Sequence, residues 1–440
     1  MKTIMITAPT SGTGKTLITL GVIRGLKNRG LDVGAFKTGP DFLDTKYLGL
    51  ASGKRPGNLD MHMMGENLDI SLAMNSGEYA VIEGAMGYFD GIYNTYENSS
   101  YDISRKLNIN VILVYTPKGE MFSAIPKIKG MVEFKDSKIV GIILNKTKKN
   151  LYPMFKEQIE KYIGIKVLGY IEDEENLKIE SRYLGLIESF EDNYIDSLLD
   201  NIANKFESTI DMEGIINLME DVDIPEYNYP KKRNITVAIA YDKAFSFYYN
   251  ENLNLLENTC NVRYFSPLKD DEIPPCDLLY IGGGYPELYK KELSQNKTIL
   301  SSIKTMAESD GFIYGEAGGL MYLLDSIDEC PVCKILKGES VMTDRLQRFG
   351  YVNMEIRDNI ILGKKGDNLY GQEFHRSIVN TKSEPLYNIT KPKSNRKWQC
   401  GYGYKNVFAA YPHINFLGNM KAFNYLLDNI EKNKEKDHVY

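Results

Sequence analysis

Short apolar runs spaced by longer amphipathic stretches set the rhythm of the first half of the chain. Residues 4–7, 33–36, 80–83, 111–115 and 139–144, with a further run at 166–170, are apolar almost throughout and do not alternate. Runs of that kind belong to parallel strands covered on both faces. After the first run, Leu17, Leu20 and Ile23 recur at helical spacing from about Lys15 until Arg29-Gly30 closes the segment, which predicts a helix with a core-facing stripe. The pattern breaks at 221–234, where Pro225-Glu-Tyr-Asn-Tyr-Pro230-Lys-Lys-Arg is polar and rich in turn formers. Apolar runs resume at 235–240, 278–281, 312–314 and 407–410, with 253–256 helical. The expectation is two α/β domains, 1–225 and 235–440, joined by a connection at 226–234.

Composition narrows this only a little. A chain of 440 residues is too long for one ordinary core, which suits two domains. With 43% hydrophobic and 25% charged residues it has the make-up of a globular protein. A formal charge of −6 supplies no general attraction for nucleic acid. No apolar run approaches the roughly 18 residues of a membrane span. The first residues lead straight into a Gly-rich turn and read as a core strand, so a cytoplasmic location without a signal peptide is expected. Cys330-Pro-Val-Cys333 lacks a second nearby Cys/His pair, which favours incidental thiols over a metal or redox site.

The chemistry of the first half lies where its strands end. Ala8-Pro9-Thr10-Ser11-Gly12-Thr13-Gly14-Lys15-Thr16 joins the first strand to the first helix. Small residues such as Gly12, Thr13 and Gly14 let backbone N–H groups wrap phosphate oxygens, Lys15 brings a mobile positive charge, and Thr16 suits a magnesium ion. Pro9 stands at the first glycine position of the strict phosphate-loop pattern. After the second strand, Lys37-Thr-Gly-Pro-Asp41-Phe-Leu-Asp44 offers a lysine for a transferred phosphoryl group, with Asp41 and Asp44 as candidates for magnesium or polar substrate groups. Glu83 ends a further strand before Gly84-Ala-Met-Gly-Tyr-Phe-Asp90-Gly91. A carboxylate at that edge suits magnesium, and Asp90 is a candidate organiser of the neighbouring loop.

In the second half, Tyr280-Ile-Gly282-Gly283-Gly284-Tyr-Pro-Glu287 leaves a strand through an open turn whose N–H groups suit an oxyanion. Ile313-Tyr-Gly-Glu316-Ala317-Gly318-Gly319 is a strand, a small-residue turn and the start of a helix, a geometry that presents a side chain for nucleophilic attack. Alanine has no nucleophile to present. The late run Ala409-Ala-Tyr-Pro-His413-Ile-Asn415-Phe supplies a histidine.

Taken with 242–249 and 371–377, these motifs make the whole chain resemble the cobyrinic acid a,c-diamide synthase family, whose relatives act on nickel sirohydrochlorin. The resemblance implies an N-terminal P-loop domain like dethiobiotin synthetase and a C-terminal α/β domain like class I glutamine amidotransferases. It implies ATP and Mg²⁺ as cofactors and glutamine or ammonia as nitrogen source. The implied substrate is a corrinoid or sirohydrochlorin-type tetrapyrrole diacid, amidated at its a- and c-acetate groups through acyl phosphates. Carried over by position, residues 12–16 bind ATP phosphates, Lys15 and Lys37 serve phosphoryl transfer, and Thr16, Asp41 and Glu83 hold metal. Gly283, Gly284 and Gly318 form the oxyanion site, and His413 is the base. Asp44, Asp90, His375 and Arg376 address the substrate. Position 317 carries the family's nucleophilic cysteine, so the glutaminase half-reaction is expected to be disabled here. Asn415 stands where a second histidine is common. Two origins of Ala317 stay open, an engineered replacement and a natural ammonia-dependent or repurposed form, the latter including an ATP- and tetrapyrrole-binding regulator. Cobyrinic acid ranks ahead of nickel sirohydrochlorin as substrate, and a homodimer is compatible with a P-loop enzyme of this kind.

Overall fold

In the computed structural model, which describes residues 1–75, 77–174 and 189–437, the apolar runs become the strands they predict. The first sheet comprises β1 (Lys2–Thr7), β2 (Val33–Thr38), β3 (Gly57–Leu59), β4 (Tyr79–Glu83), β5 (Val111–Tyr115), β6 (Ile139–Asn145) and β7 (Lys166–Ile171). Their order is β3-β2-β4-β1-β5-β6-β7, and every one of these pairings is parallel. A two-residue strand, β8 (Glu220–Asp221), adds antiparallel to β1. Because β1 lies between β4 and β5, the loops leaving β1, β2 and β4 gather at neighbouring strand ends. That is where open α/β sheets bind ligands.

Helix α1 (Lys15–Asn28) departs from its expected single stripe. Leu20 and Ile23 are buried, but so are Gly21, Val22 and Gly25, while Leu17 is only partly covered. The second covered face belongs to helix Ser189–Thr209. Its Phe206 ring occupies the space a side chain at Gly21 would take. Its Asp200 accepts from Arg24 Nε at 2.7 Å, and Asp196 lies 2.9 Å from the same guanidinium. Nothing in the local spacing of α1 signals a partner about 180 residues away. The helix ends as Arg29-Gly30 predicts: Gly30 has φ 80°, its N–H reaches Lys27 O at 2.8 Å, and Leu31 N–H reaches Leu26 O at 3.3 Å.

The second sheet runs β10 (Asn261–Phe265), β9 (Thr236–Ala240), β11 (Leu278–Ile281), β12 (Phe312–Glu316), Val407–Ala410 and Tyr402–Tyr404. All of its pairings are parallel except the last. A five-stranded antiparallel sheet, built on Arg348–Ile356 and Asn368–His375, was not foreseen. It ends on the pair His413–Ile414, so it helps set the position of the histidine singled out above. The chain gathers into two units, Met1–Met61 with Glu66–Tyr227, and His62–Gly65 with Asn228–Tyr440. Among the described residues no helix is long and apolar enough to cross a membrane.

Candidate active site

The phosphate-type turn opens α1 with no side-chain cap. Gly14 lies in the left-handed region at φ 83°, and Gly12 does so at φ 75°. The first N–H groups of a 14-residue helix are therefore left to a ligand. A side chain at Gly14 would collide with the amide of Asn145, which donates to Thr13 O at 2.7 Å. Asn145, at the end of β6, thus braces the turn, a role its place in an apolar run does not announce.

Behind this turn lies a buried ionic network. Lys37 Nζ contacts Asp44 Oδ2 at 2.6 Å and Glu83 Oε1 at 2.9 Å, and Thr16 Oγ1 donates to the same Glu83 oxygen at 2.6 Å. Burial pulls the Lys37 ammonium down, but Glu83, Asp44 and Asp41 outweigh it and hold it well above the usual lysine range. Lys15 is lowered, mainly by burial and then by Lys37 nearby. Glu83 is raised by burial, with Lys37 and Thr16 opposing. Its second oxygen, Oε2, is buried with no hydrogen-bond partner among the described residues. An orphaned carboxylate oxygen beside a threonine hydroxyl and a phosphate-type turn fits a magnesium ion.

The other acids of this half are more committed. Asp41 Oδ1 accepts from the N–H groups of Leu43 and Asp44 at 2.8 and 3.2 Å, at the start of α2 (Leu43–Ser52). Burial and Asp44 raise its carboxyl. Asp90 Oδ2 accepts from Gly87 N–H at 3.0 Å, and the same loop lies against the phosphate turn through Tyr88 N–H to Ala8 O at 2.9 Å.

In the second unit, Ala317 occupies the turn between β12 and the helix Gly318–Leu323, with φ 47° and ψ −100°. Close approach imposes this geometry: a side chain at Gly319 would strike the Ile281 carbonyl, and one at Gly315 would press Ala409. The Ala317 N–H is tied to Ala410 O at 2.8 Å. His413 is buried, with Nδ1 3.1 Å from Glu316 Oε2. Its Nε2 edge lies over Gly283, where an added side chain would meet Cε1 and Nε2. The Gly283 N–H itself reaches Phe247 O at 3.3 Å, a long bond that it would surrender to serve an oxyanion. Asn415 donates to Glu251 Oε2 at 3.3 Å rather than to His413. Helix residue Asn252 clamps the chain beyond His413, giving Nδ2–H to Ile414 O at 2.8 Å and accepting Phe416 N–H at 2.7 Å.

His375 stacks on Tyr411 at 3.7 Å between centroids, and its Nδ1 lies 2.8 Å from Ser377 O. Its Nε2 and the Glu373 Oε2 beside it, 3.9 Å apart, are buried without hydrogen-bond partners among the described residues. Arg376 is exposed. Cys330 and Cys333 are free thiols, and the described residues hold no group of three or more metal-ligating side chains. Glu316 and Asn145 are the site residues that local reading misses. The only signal for Glu316 is a carboxylate closing an apolar strand.

Comparison with known proteins gives both halves a family. Residues 4–187 match the CobQ/CobB/MinD/ParA nucleotide binding domain, and residues 236–421 match the CobB/CobQ-like glutamine amidotransferase domain. Cobyrinate a,c-diamide synthase of Clostridium acetobutylicum is 40% identical, over 97% of this chain and 100% of that protein. The enzyme of the same name from Clostridium tetani is 39% identical over 97% and 100%. That from Caldanaerobacter subterraneus subsp. tengcongensis is 37% identical over 97% and 98%.

Proposed function

The chain belongs to the cobyrinate a,c-diamide synthase family, and we propose that it amidates the a- and c-acetate carboxylates of cobyrinate by way of acyl phosphates. It is an ATP-dependent carbon–nitrogen ligase with a nucleotide-binding domain and a glutamine amidotransferase-like domain. The observation that carries the finer reading is the Thr16–Glu83–Lys37–Asp44 network beside an uncapped helix N-terminus.

A substrate carboxylate oxygen attacks the γ-phosphorus of ATP, releasing ADP and leaving an acyl phosphate. Ammonia then adds to the acyl carbon, loses a proton, and expels inorganic phosphate to give the amide. The N–H groups of residues 12–16 hold the phosphates, Lys15 follows the transferred group, and Lys37 stays charged to receive it. Magnesium, when bound, would neutralise phosphate charge, and Thr16 and Glu83 are the residues that would hold it. Asp44 keeps Lys37 in place, and Asp90 shapes the loop against the phosphate turn. His375 and Arg376 are assigned to the substrate side, and Asp41, whose Oδ1 accepts the N–H groups that open α2, stays a candidate for the metal.

Nitrogen arrives as ammonia. Glutamine hydrolysis needs a thiol at the turn after β12 to form the thioester, and Ala317 supplies none. The test is incubation with cobyrinate, ATP, Mg²⁺ and either ammonium or glutamine, followed by product mass. Mono- and diamide are expected with ammonium and neither with glutamine. A parallel series with nickel sirohydrochlorin ranks the substrates by kcat/KM, and a preference for it would replace cobyrinate while keeping the ligase chemistry. No amidation of either tetrapyrrole by folded, ATP-binding protein would reject the proposal.

A further inference from the structure

Glu316 closes β12 one residue before the turn and is almost fully buried, at 1% exposure. Four donors surround its carboxylate. Oε2 lies 3.1 Å from His413 Nδ1 and 3.1 Å from the Tyr280 hydroxyl; Oε1 takes the Tyr314 hydroxyl at 2.6 Å and the Ile414 N–H at 3.3 Å. Tyr280 and Tyr314 are themselves buried and stacked at 5.2 Å, so their hydroxyls do not wander. The Ile414 bond ties the carboxylate to the backbone of the residue following the base.

We infer that Glu316 is the positioning residue for His413, holding its ring with the proton on Nδ1 and the lone pair of Nε2 turned toward the Gly283 turn. The inference rests on the reading of His413 as the glutaminase base, and it deepens that reading. A carboxylate oxygen with no proton can only accept, so the facing Nδ1 donates and Nε2 is left basic. The position two residues beyond the base cannot do this, because Asn415 is engaged with Glu251 and with Leu417 N–H at 3.0 Å. The orienting group therefore comes from the strand before the turn. With a cysteine at position 317, the thiol proton would pass to Nε2 and the thiolate would attack the amide carbon. Ammonia would leave carrying that proton, while Glu316 keeps hold of Nδ1–H throughout.

Two readouts test this. Side-chain ¹⁵N resonances of His413, assigned by their loss in His413→Gln, report which ring nitrogen is protonated in the unaltered chain. A protonated Nδ1 is expected, with Glu316→Gln moving the proton population toward Nε2. A predominantly Nε2-protonated ring in the unaltered chain, or no change in folded Glu316→Gln protein, would overturn the assignment. Should Glu316→Gln not fold, Tyr314→Phe removes one hydroxyl that aims the carboxylate; a smaller shift in the same direction supports the role, and none rejects it. The second readout is glutamine hydrolysis in Ala317→Cys protein. Adding Glu316→Gln there should lower kcat by roughly 10²–10⁴-fold with KM within about threefold. An unchanged kcat would reject the role. If Ala317→Cys alone does not hydrolyse glutamine, the glutaminase reading fails while the tautomer measurement still decides the positioning of His413.

Discussion

The turn after β1 and the turn after β12 are built by one device and present different side chains. Each leaves a buried parallel strand through small residues and opens a helix with no side-chain cap. The first presents Lys15 and Thr16 to a charged network in which Lys37 is shared by Glu83 and Asp44. The second presents only a methyl group on a tight strand-to-helix turn, with Ala317 at φ 47°. A non-glycine residue in so sparsely populated a conformation costs on the order of 1–3 kcal/mol. The conformation survives because Gly315 and Gly319 pack against Ala409 and the Ile281 carbonyl, whatever stands at 317. The shape of such a turn therefore does not depend on the side chain at 317, whereas a site made of compensating charges depends on each of its members.

The largest expected change is a gain. Ala317→Cys places a thiol on a turn already formed, and glutamine hydrolysis should rise from background by on the order of 10⁴-fold or more, read as glutamate release. Absence of any rise would count against position 317 as the place of a glutaminase nucleophile. The first site should show the opposite sensitivity. Lys37→Ala leaves Glu83 buried without its cation, and about 3–5 kcal/mol of unfolding free energy should be lost, measured by denaturant titration. A loss under about 1 kcal/mol would show that this network is no more dependent on its members than the turn at 317. Lys15→Ala removes the charge nearest the phosphate turn without stranding a carboxylate so deeply. Ammonium-dependent amidation should fall roughly 10²–10³-fold with little change in melting temperature.

The smallest effect concerns how each site tolerates an acid. Burial raises Glu83 and Asp41 in the first unit while Lys37 opposes it, and Glu287, just after the Gly282-Gly283-Gly284 turn, is pushed up to about 7 by burial, with Asp328 adding and Lys290 opposing. Its folded value lies above the unfolded 4.5, so the folded state binds the proton more tightly. The stability from that difference is fully present below the unfolded value and is lost as pH rises through about 7. Glu287→Gln should flatten this fall and stabilise the protein at pH near 8 by on the order of 1–3 kcal/mol, read from melting temperatures across the range. A parallel pH dependence in variant and parent would remove Glu287 as its source.

Much of this was legible along the chain, because the signals are local. Apolar runs without alternation mark strands that are buried on both faces wherever they sit, and the central strands of both sheets follow from them, whereas the edge strands Gly57–Leu59, Asn261–Phe265 and Tyr402–Tyr404 do not. Gly12, Gly14, Gly318 and Gly319 mark turns whose conformations are chosen within a few residues, so both helix openings could be located before any fold was known. The antiparallel sheet escaped because alternation holds over only parts of its strands: Val352, Met354 and Ile356 are buried in turn, but Arg348 and Phe349 are adjacent and both exposed, and Tyr370 and Phe374 also face outward. The pairings that give the sites their chemistry lay beyond reach for a different reason. Lys37 meets Glu83 across 46 residues because β2 and β4 are adjacent in register, and Glu316 meets His413 across 97 because Val407–Ala410 runs parallel beside β12 with Ala410 opposite Glu316, shortly before the histidine. No residue near Glu316 in the chain announces that partner. Strand order and register settle it, and these are fixed by the packing of whole sheets, to which each side chain contributes only a small share.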